Sequence, residues 1–380
     1  MHSSARVNSY DSILIILAIS LIVVMIVPLV NSGLTISTAE AASPSEIYFG
    51  VLPPHAALPS GGACAQLLVG SSTWEPRPEN ARANTAIVPA AELAAFHAQP
   101  LNFVDGPPAS DFQAVDGNYS GTTDMIIRWA ACKWGMDENV LRAEAFLESD
   151  WSAYRAGDLQ FSQYLCEAGD WNGWQPAGYC WETYGISQAK LMSYNAWPMA
   201  WTSTAFNLDL RAAYWRACMN GDVQYYNYTP PMLGYPAYSS NADTTQMEWG
   251  CVGSWYSGQW YDAAALTYIA VVQGFVATAP WRNLPSGSSP ALSIITPGDT
   301  QKVAGVVSIA ITLDQSDPKA CYACLSIDGM PNSCVPATGP WYWDTTQYVL
   351  NGMHAIGVDA YRCDGSGPNY HAGIDVTVAN

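Results

Sequence analysis

The segment Ala143-Glu144-Ala145-Phe146-Leu147-Glu148-Ser149-Asp150-Trp151 carries the pattern on which the reading of this chain turns. Asp137 stands where a helix N-cap is wanted. From there Leu141, Ala145 and Glu148 fall on one face at helical spacing, with Val140, Glu144 and Leu147 on the adjacent one. Glu148 thus lies on an otherwise apolar stripe. Desolvation disfavours the charged form of a carboxyl so placed, which can then hold a proton near neutral pH and deliver it to a leaving oxygen. The plain alternative is a helix-end glutamate paired with Arg142 or with solvent, and periodicity alone favours that alternative. Glu144, one turn earlier, is expected to pack or pair rather than react.

The pattern extends in both directions. Upstream, Thr122 or Thr123 can cap a helix, Asp124 suits its positive end, and Gly135 can close it after Ile126, Ile127, Trp129, Ala130 and Lys133. Downstream, a loop rich in Trp, Gly and Cys over residues 154–182 leads into Tyr184-Gly185-Ile186-Ser187-Gln188. Two further helices are expected from Ser203 to Met219 and from Ala263 to Phe275, separated by a loop of Tyr, Pro and Gly. Residues 121–282 therefore read as a mostly α domain with long loops. Residues 42–120, rich in Pro, Gly and Ala, read as an extended lead-in packed on that domain through Cys64 and Trp74.

At residues 283–290, NLPSGSSP, the composition is that of a linker. Beyond it the period changes to alternation. Strands are expected at Val306 to Leu313, Cys324 to Ile327 and His354 to Tyr361, with turns at Asp328-Gly329 and Asn351-Gly352. Residues 291–380 thus predict a small all-β sandwich.

The N-terminus sets the address. An apolar run from Ile13 to Val30 follows Arg6, and Ala39-Glu40-Ala41 would suit a cleavage enzyme. Residues 1–41 are therefore expected to be a signal peptide or an N-terminal membrane anchor, with the remainder secreted or at the cell surface. Ten cysteines agree with export, six before the linker and four after it, so each domain is expected to close its own disulfides. Cys321-x-x-Cys324 has zinc-ligand spacing but lacks a second pair, and disulfides are preferred; no metal and no cofactor is expected. With 32 acidic against 14 basic residues, the chain disfavours nucleic acid and a polybasic grip on anionic lipid.

Four motifs in order give the site its chemistry. Ala143 to Trp151 resembles the first motif of the lysozyme-like superfamily, in particular lytic transglycosylases and goose-type lysozymes, where a helix ends in Glu-Ser before an aromatic residue. Gly185-Ile186-Ser187-Gln188 resembles the second, Asn207 to Tyr214 the third, and Trp260 to Tyr268 the fourth. The resemblance covers roughly residues 60–282 and implies a groove for a peptidoglycan-like glycan. It makes Glu148 the general acid, Ser149 its orienting neighbour, Gly185, Ile186, Ser187 and Gln188 a wall of the sugar site, and Tyr184 and Tyr268 substrate contacts. A glycine lets backbone approach a sugar ring, and a glutamine can bond an N-acetyl group or hold the acid in place. The implied reaction is glycosidic-bond cleavage, as a transglycosylase using Glu148 twice or as a hydrolase with a second carboxylate. Asp150, Asp158, Glu167, Asp170 and Glu182 are available for that second role, and no spacing singles one out.

The C-terminal strands, with Asn351, Gly352 and His354 in a recurrent turn, are similar to bacterial immunoglobulin-like modules. That resemblance implies a spacer or weak binding surface of unknown partner and makes His354 structural. A second functional reading is a catalytically silent glycan-binding or adhesion protein. It draws on Ser187 and Ile269, which replace residues usual in the second and fourth motifs, and on the acidic surface.

Overall fold

The computed structural model describes residues 47–98, 113–153, 155–160, 180–190, 196, 198–222, 243–284, 292–313, 320–327, 330–336, 339–347, 351–362 and 368–380. The expected leader and most of the expected linker lie outside these residues. Among the described residues no helix is long and apolar enough to cross a membrane.

The first half is helical. Among the described residues its helices are α1 (Gly61–Leu67), α2 (Ala81–Thr85), α3 (Ala90–Ala98), α4 (Thr123–Trp134), α5 (Glu138–Ser149), α6 (Met199–Thr202), α7 (Thr204–Asn220), α8 (Thr244–Ser257) and α9 (Ala263–Thr278). The capping residues behave as their chemistry demands. The Thr122 side chain accepts from the Met125 amide at the start of α4, and Gly135 closes that helix with φ 61°. Asp137 accepts from the amides of Asn139 and Val140 at the start of α5. Helix α7 runs through the middle of the core with both faces buried. Its buried Asp209 is well partnered, accepting from Lys133 Nζ at 2.7 Å and Trp134 Nε1 at 2.6 Å.

Two expectations change. The lead-in is not extended: α1, α2 and α3 fall within it, and Cys64 of α1 is bonded to Cys132 of α4. Helix α8 lies within a stretch read as loop. Gly250 and Gly253 lower its helix propensity and hide it from the sequence. Packing explains them, since a Cβ at Gly250 would come within 2.7 Å of the Trp260 ring, and one at Gly253 within 2.8 Å of Ala265 and Ile269.

The second half is β, as expected. A five-stranded sheet has the order β5 (Lys302–Val303), β11 (Pro368–Val378), β10 (Gly352–Arg362), β7 (Ala320–Ile327) and β8 (Met330–Pro336). A three-stranded sheet has the order β4 (Leu292–Thr296), β6 (Val306–Leu313) and β9 (Trp341–Asp344). A third, small sheet of β1 (Ala156–Gln160), β2 (Cys180–Tyr184) and β3 (Ala189–Lys190) belongs to the helical half. Ile309, Leu325, Trp341, Val358 and Val376 form the core of the β half. His354 is buried there against Trp343, a structural place.

Disulfides Cys64–Cys132 and Cys218–Cys251 fall in the helical half and Cys324–Cys334 in the β half. Cys324 is therefore spoken for within the β half, and Cys321 is disulfide-bonded as well. Among the described residues no group of His, Cys, Asp and Glu could hold a metal ion.

Candidate functional site

Glu148 occupies the last turn of α5, half-buried, on the face whose other members, Leu141 and Ala145, are wholly buried. Tyr268 of α9 donates its phenol hydrogen to Glu148 Oε1 at 2.5 Å. Burial, then the charges of Glu148 and Glu144, hold the Tyr268 phenol well above its ordinary pKa, so it stays a donor. Tyr268 thus fixes the rotation of the Glu148 carboxyl. Arg142 does not pair with Glu148: its guanidinium is bonded to Asp124 and Glu138.

Behind this pair lies a second, fully buried one. Glu144 accepts from Arg211 of α7, whose guanidinium lies 4.4 Å over the Trp255 ring. Burial raises the Glu144 pKa while the Arg211 charge pulls it down, and the upward effect prevails. Glu144 pairs, as expected of it.

The end of α5 has an unusual conformation. Asp150 and Trp151 both have positive φ, 53° and 65°, although neither is glycine. Such geometry costs on the order of 1 kcal/mol per residue and persists only where neighbours enforce it. Trp151 is wholly buried, its indole donates to Arg142 O at 3.0 Å, and its carbonyl accepts from Asn80 at 2.7 Å. Ser149 Oγ donates to Ile186 O at 2.8 Å, tying the helix end to the turn between β2 and β3.

That turn is Gly185 to Gln188. Gly185 has φ 76°, and a Cβ there would lie 2.3 Å from Asn207 Nδ2 and 2.5 Å from Ala200 O. The glycine therefore accommodates protein packing. Ser187 donates through both its amide and its hydroxyl to Asn207 Oδ1, at 2.9 and 2.6 Å. Ile186 is in the core, and Tyr184 is buried edge-on to Trp201. Gln188 gives its amide hydrogens to Arg155 O and Gly185 O and accepts from Thr183. These residues shape the turn beside Glu148 from within.

The structure thus brings Glu148, Tyr268, Ser149 and the 185–188 turn into one constellation, and it buries Tyr184, Ile186 and Ser187 rather than presenting them to solvent. Among the carboxylates considered for a second role, Asp150 is the exposed C-cap of α5. Glu167 and Asp170, and the side chains of Asp158 and Glu182, lie outside what is described.

Sequence reasoning missed Tyr256 and Arg211. Tyr256 of α8 is 53% exposed and stacks on Tyr268 with centroids 5.3 Å apart and planes 9° from parallel. Its exposed ring thus lies over the tyrosine that is bonded to Glu148. The signal was weak, because Tyr256 ends a helix that was itself hidden by glycines.

No protein-family model matches the chain, and no curated protein matches it. Among solved structures, fibronectin(III)-like modules of Clostridium thermocellum CbhA align at 20% identity over 23% of this chain and 45% of theirs, with a TM-score of 0.20. An endo-beta-1,4-mannanase from Thermotoga petrophila aligns at 15% identity over 32% of this chain and 25% of its own, also with a TM-score of 0.20. The chain spans less than half the length of either, and likenesses this slight bear neither on its fold nor on what it does.

Proposed function

We propose that this is an exported, lysozyme-like protein that cleaves glycosidic bonds of peptidoglycan or a related glycan, with Glu148 as general acid. The observation that carries this reading is the Tyr268–Glu148 hydrogen bond at the end of α5. An acid used for proton transfer needs one fixed orientation, and a phenol kept protonated by burial supplies it. The half-buried setting of Glu148 and the exposed Tyr256 ring beside it fit a sugar lying across the helix end. No metal or cofactor enters the proposed reaction. The C-terminal half is read as an immunoglobulin-like sandwich, and the protein as secreted or held at the cell surface.

Glu148→Gln keeps the shape and removes the proton donor. Digested peptidoglycan analysed by mass spectrometry is expected to show released fragments with the wild type and none with the variant, at nearly equal melting temperatures. Anhydro ends identify a transglycosylase and reducing ends a hydrolase. Equal release by the variant sinks the assignment.

A second reading, a glycan-binding protein without turnover, is favoured by Gln188. Its amide is engaged by Arg155, Gly185 and Thr183 rather than reaching the acid. Tight binding of purified peptidoglycan with no product over long incubation decides for it.

A further inference from the structure

The sandwich meets the helical half at the segment that holds the end of α5. Arg77 is almost wholly buried, and its Nε donates to Asp150 O at 2.7 Å, one residue beyond the last of α5. Its Nη1 lies 3.7 Å from Asp359 Oδ1, on strand β10 of the sandwich, and 4.0 Å from Glu79. One guanidinium therefore bridges the sandwich and the helix that carries Glu148. A planar, permanently charged fork is suited to that, since it can serve a carbonyl and a carboxylate together.

The rest of the interface is built for close approach. In β10 and β11 Gly357 pairs with Gly373 and Ala355 with Asp375, so these residues share one face with Asp359, two further along β10. A Cβ at Gly373 would lie 2.4 Å from Glu79 Cβ and 3.1 Å from Glu79 N. Ala355 packs with Ala83 and Ala153, all three buried, beside Trp201. Strand β10 is consequently buried at successive positions from His354 to Val358. A strand covered on one side only alternates, so its outer face is covered by the helical half. Asn80, in the same segment, bonds Trp151 O at 2.7 Å and the Ala153 amide at 2.8 Å.

We infer that the C-terminal sandwich is a fixed buttress of the site, with Arg77 as a positioning residue that transmits its support from Asp359 to the end of α5. The residues it steadies, Asp150 and Trp151, are the two in left-handed conformation directly after Glu148-Ser149. A tethered spacer would leave that turn to the helical half alone. The structural claim is independent of the glycosidase reading; only its kinetic arm rests on it.

The test uses the full chain with Gly373→Ala and, in case that variant fails to fold, Asp359→Asn. Alanine is ordinarily the better strand residue, so a loss at position 373 reports the contact with Glu79. Residue-resolved hydrogen exchange is expected to show the amides of Asp150, Trp151 and Ser152 opening about ten-fold faster in the variants, with Ala130 and Ala131 of α4 unchanged. Peptidoglycan turnover is expected to lose kcat several-fold at unchanged KM. Unchanged exchange at Asp150 to Ser152 in a folded variant overturns the inference, and so does an equal rise everywhere, which general destabilisation would give. If the wild type releases no product, the glycosidase reading falls and exchange alone decides the buttress.

Discussion

Replacing Glu248 with Gln is expected to remove a pH dependence of stability that the fold itself creates. Glu248 lies on α8 and is 6% exposed, and its Oε1 has no hydrogen-bond partner among the described residues. Burial, followed by the negative charges of Asp137 and Glu144, pushes its carboxyl from the ordinary 4.5 up to about 7. The folded chain therefore holds this proton more tightly than the unfolded chain does. Stability from this group is full below about pH 4.5 and is lost as pH rises through about 7. The interval between 4.5 and about 7, at about 1.4 kcal/mol per unit, makes the loss on the order of 3 kcal/mol by about pH 8. Urea unfolding followed by tryptophan fluorescence, from about pH 4 to about pH 8, measures it directly. The wild type is expected to lose that much more stability across the range than Glu248→Gln. Glu75 and Asp209 carry upward shifts of their own, and these cancel in the difference between the two proteins. Parallel curves for wild type and variant would refute the reasoning.

Three further outcomes are expected. Tyr268→Phe removes the donor to Glu148 at a stability cost of about 1 kcal/mol while lowering peptidoglycan turnover about ten-fold or more; an unchanged rate would show that the hydrogen bond does not orient the acid. Arg211→Met strands the buried Glu144 and is expected to cost about 3–5 kcal/mol in urea unfolding, much of it recovered when Glu144→Gln is added. Replacing Cys218 and Cys251 by Ser opens a loop of 33 residues and is expected to cost about 3–4 kcal/mol, read as a lower denaturation midpoint.

Much of the local structure was legible because it rests on neighbours in sequence. Thr122, Gly135 and Asp137 bound helices α4 and α5 where their side chains or their freedom at positive φ predict. Strand β6 runs over the residues that alternation marks, Val306 to Leu313. Helix α8 was illegible for a physical reason: its glycines are chosen for the rings and methyls that cross them, information held far along the chain. The same holds for Gly185. A sequence reader assigns it to ligand approach, while the structure fills its missing Cβ position with Asn207 and Ala200.

The site divides in the same way. By itself the sequence placed Glu148 on an apolar stripe at a helix end and separated it from Glu144, because helical periodicity is a property of residues three and four apart. It also marked the change from helical to alternating pattern near residue 290. Only the tertiary structure decided which groups meet across long separations: Tyr268 on Glu148, Arg211 on Glu144, Tyr256 on Tyr268 and Arg77 between Asp150 and Asp359. Such pairings depend on how helices and sheets pack, and packing is fixed by the joint fit of many side chains that no local spacing encodes.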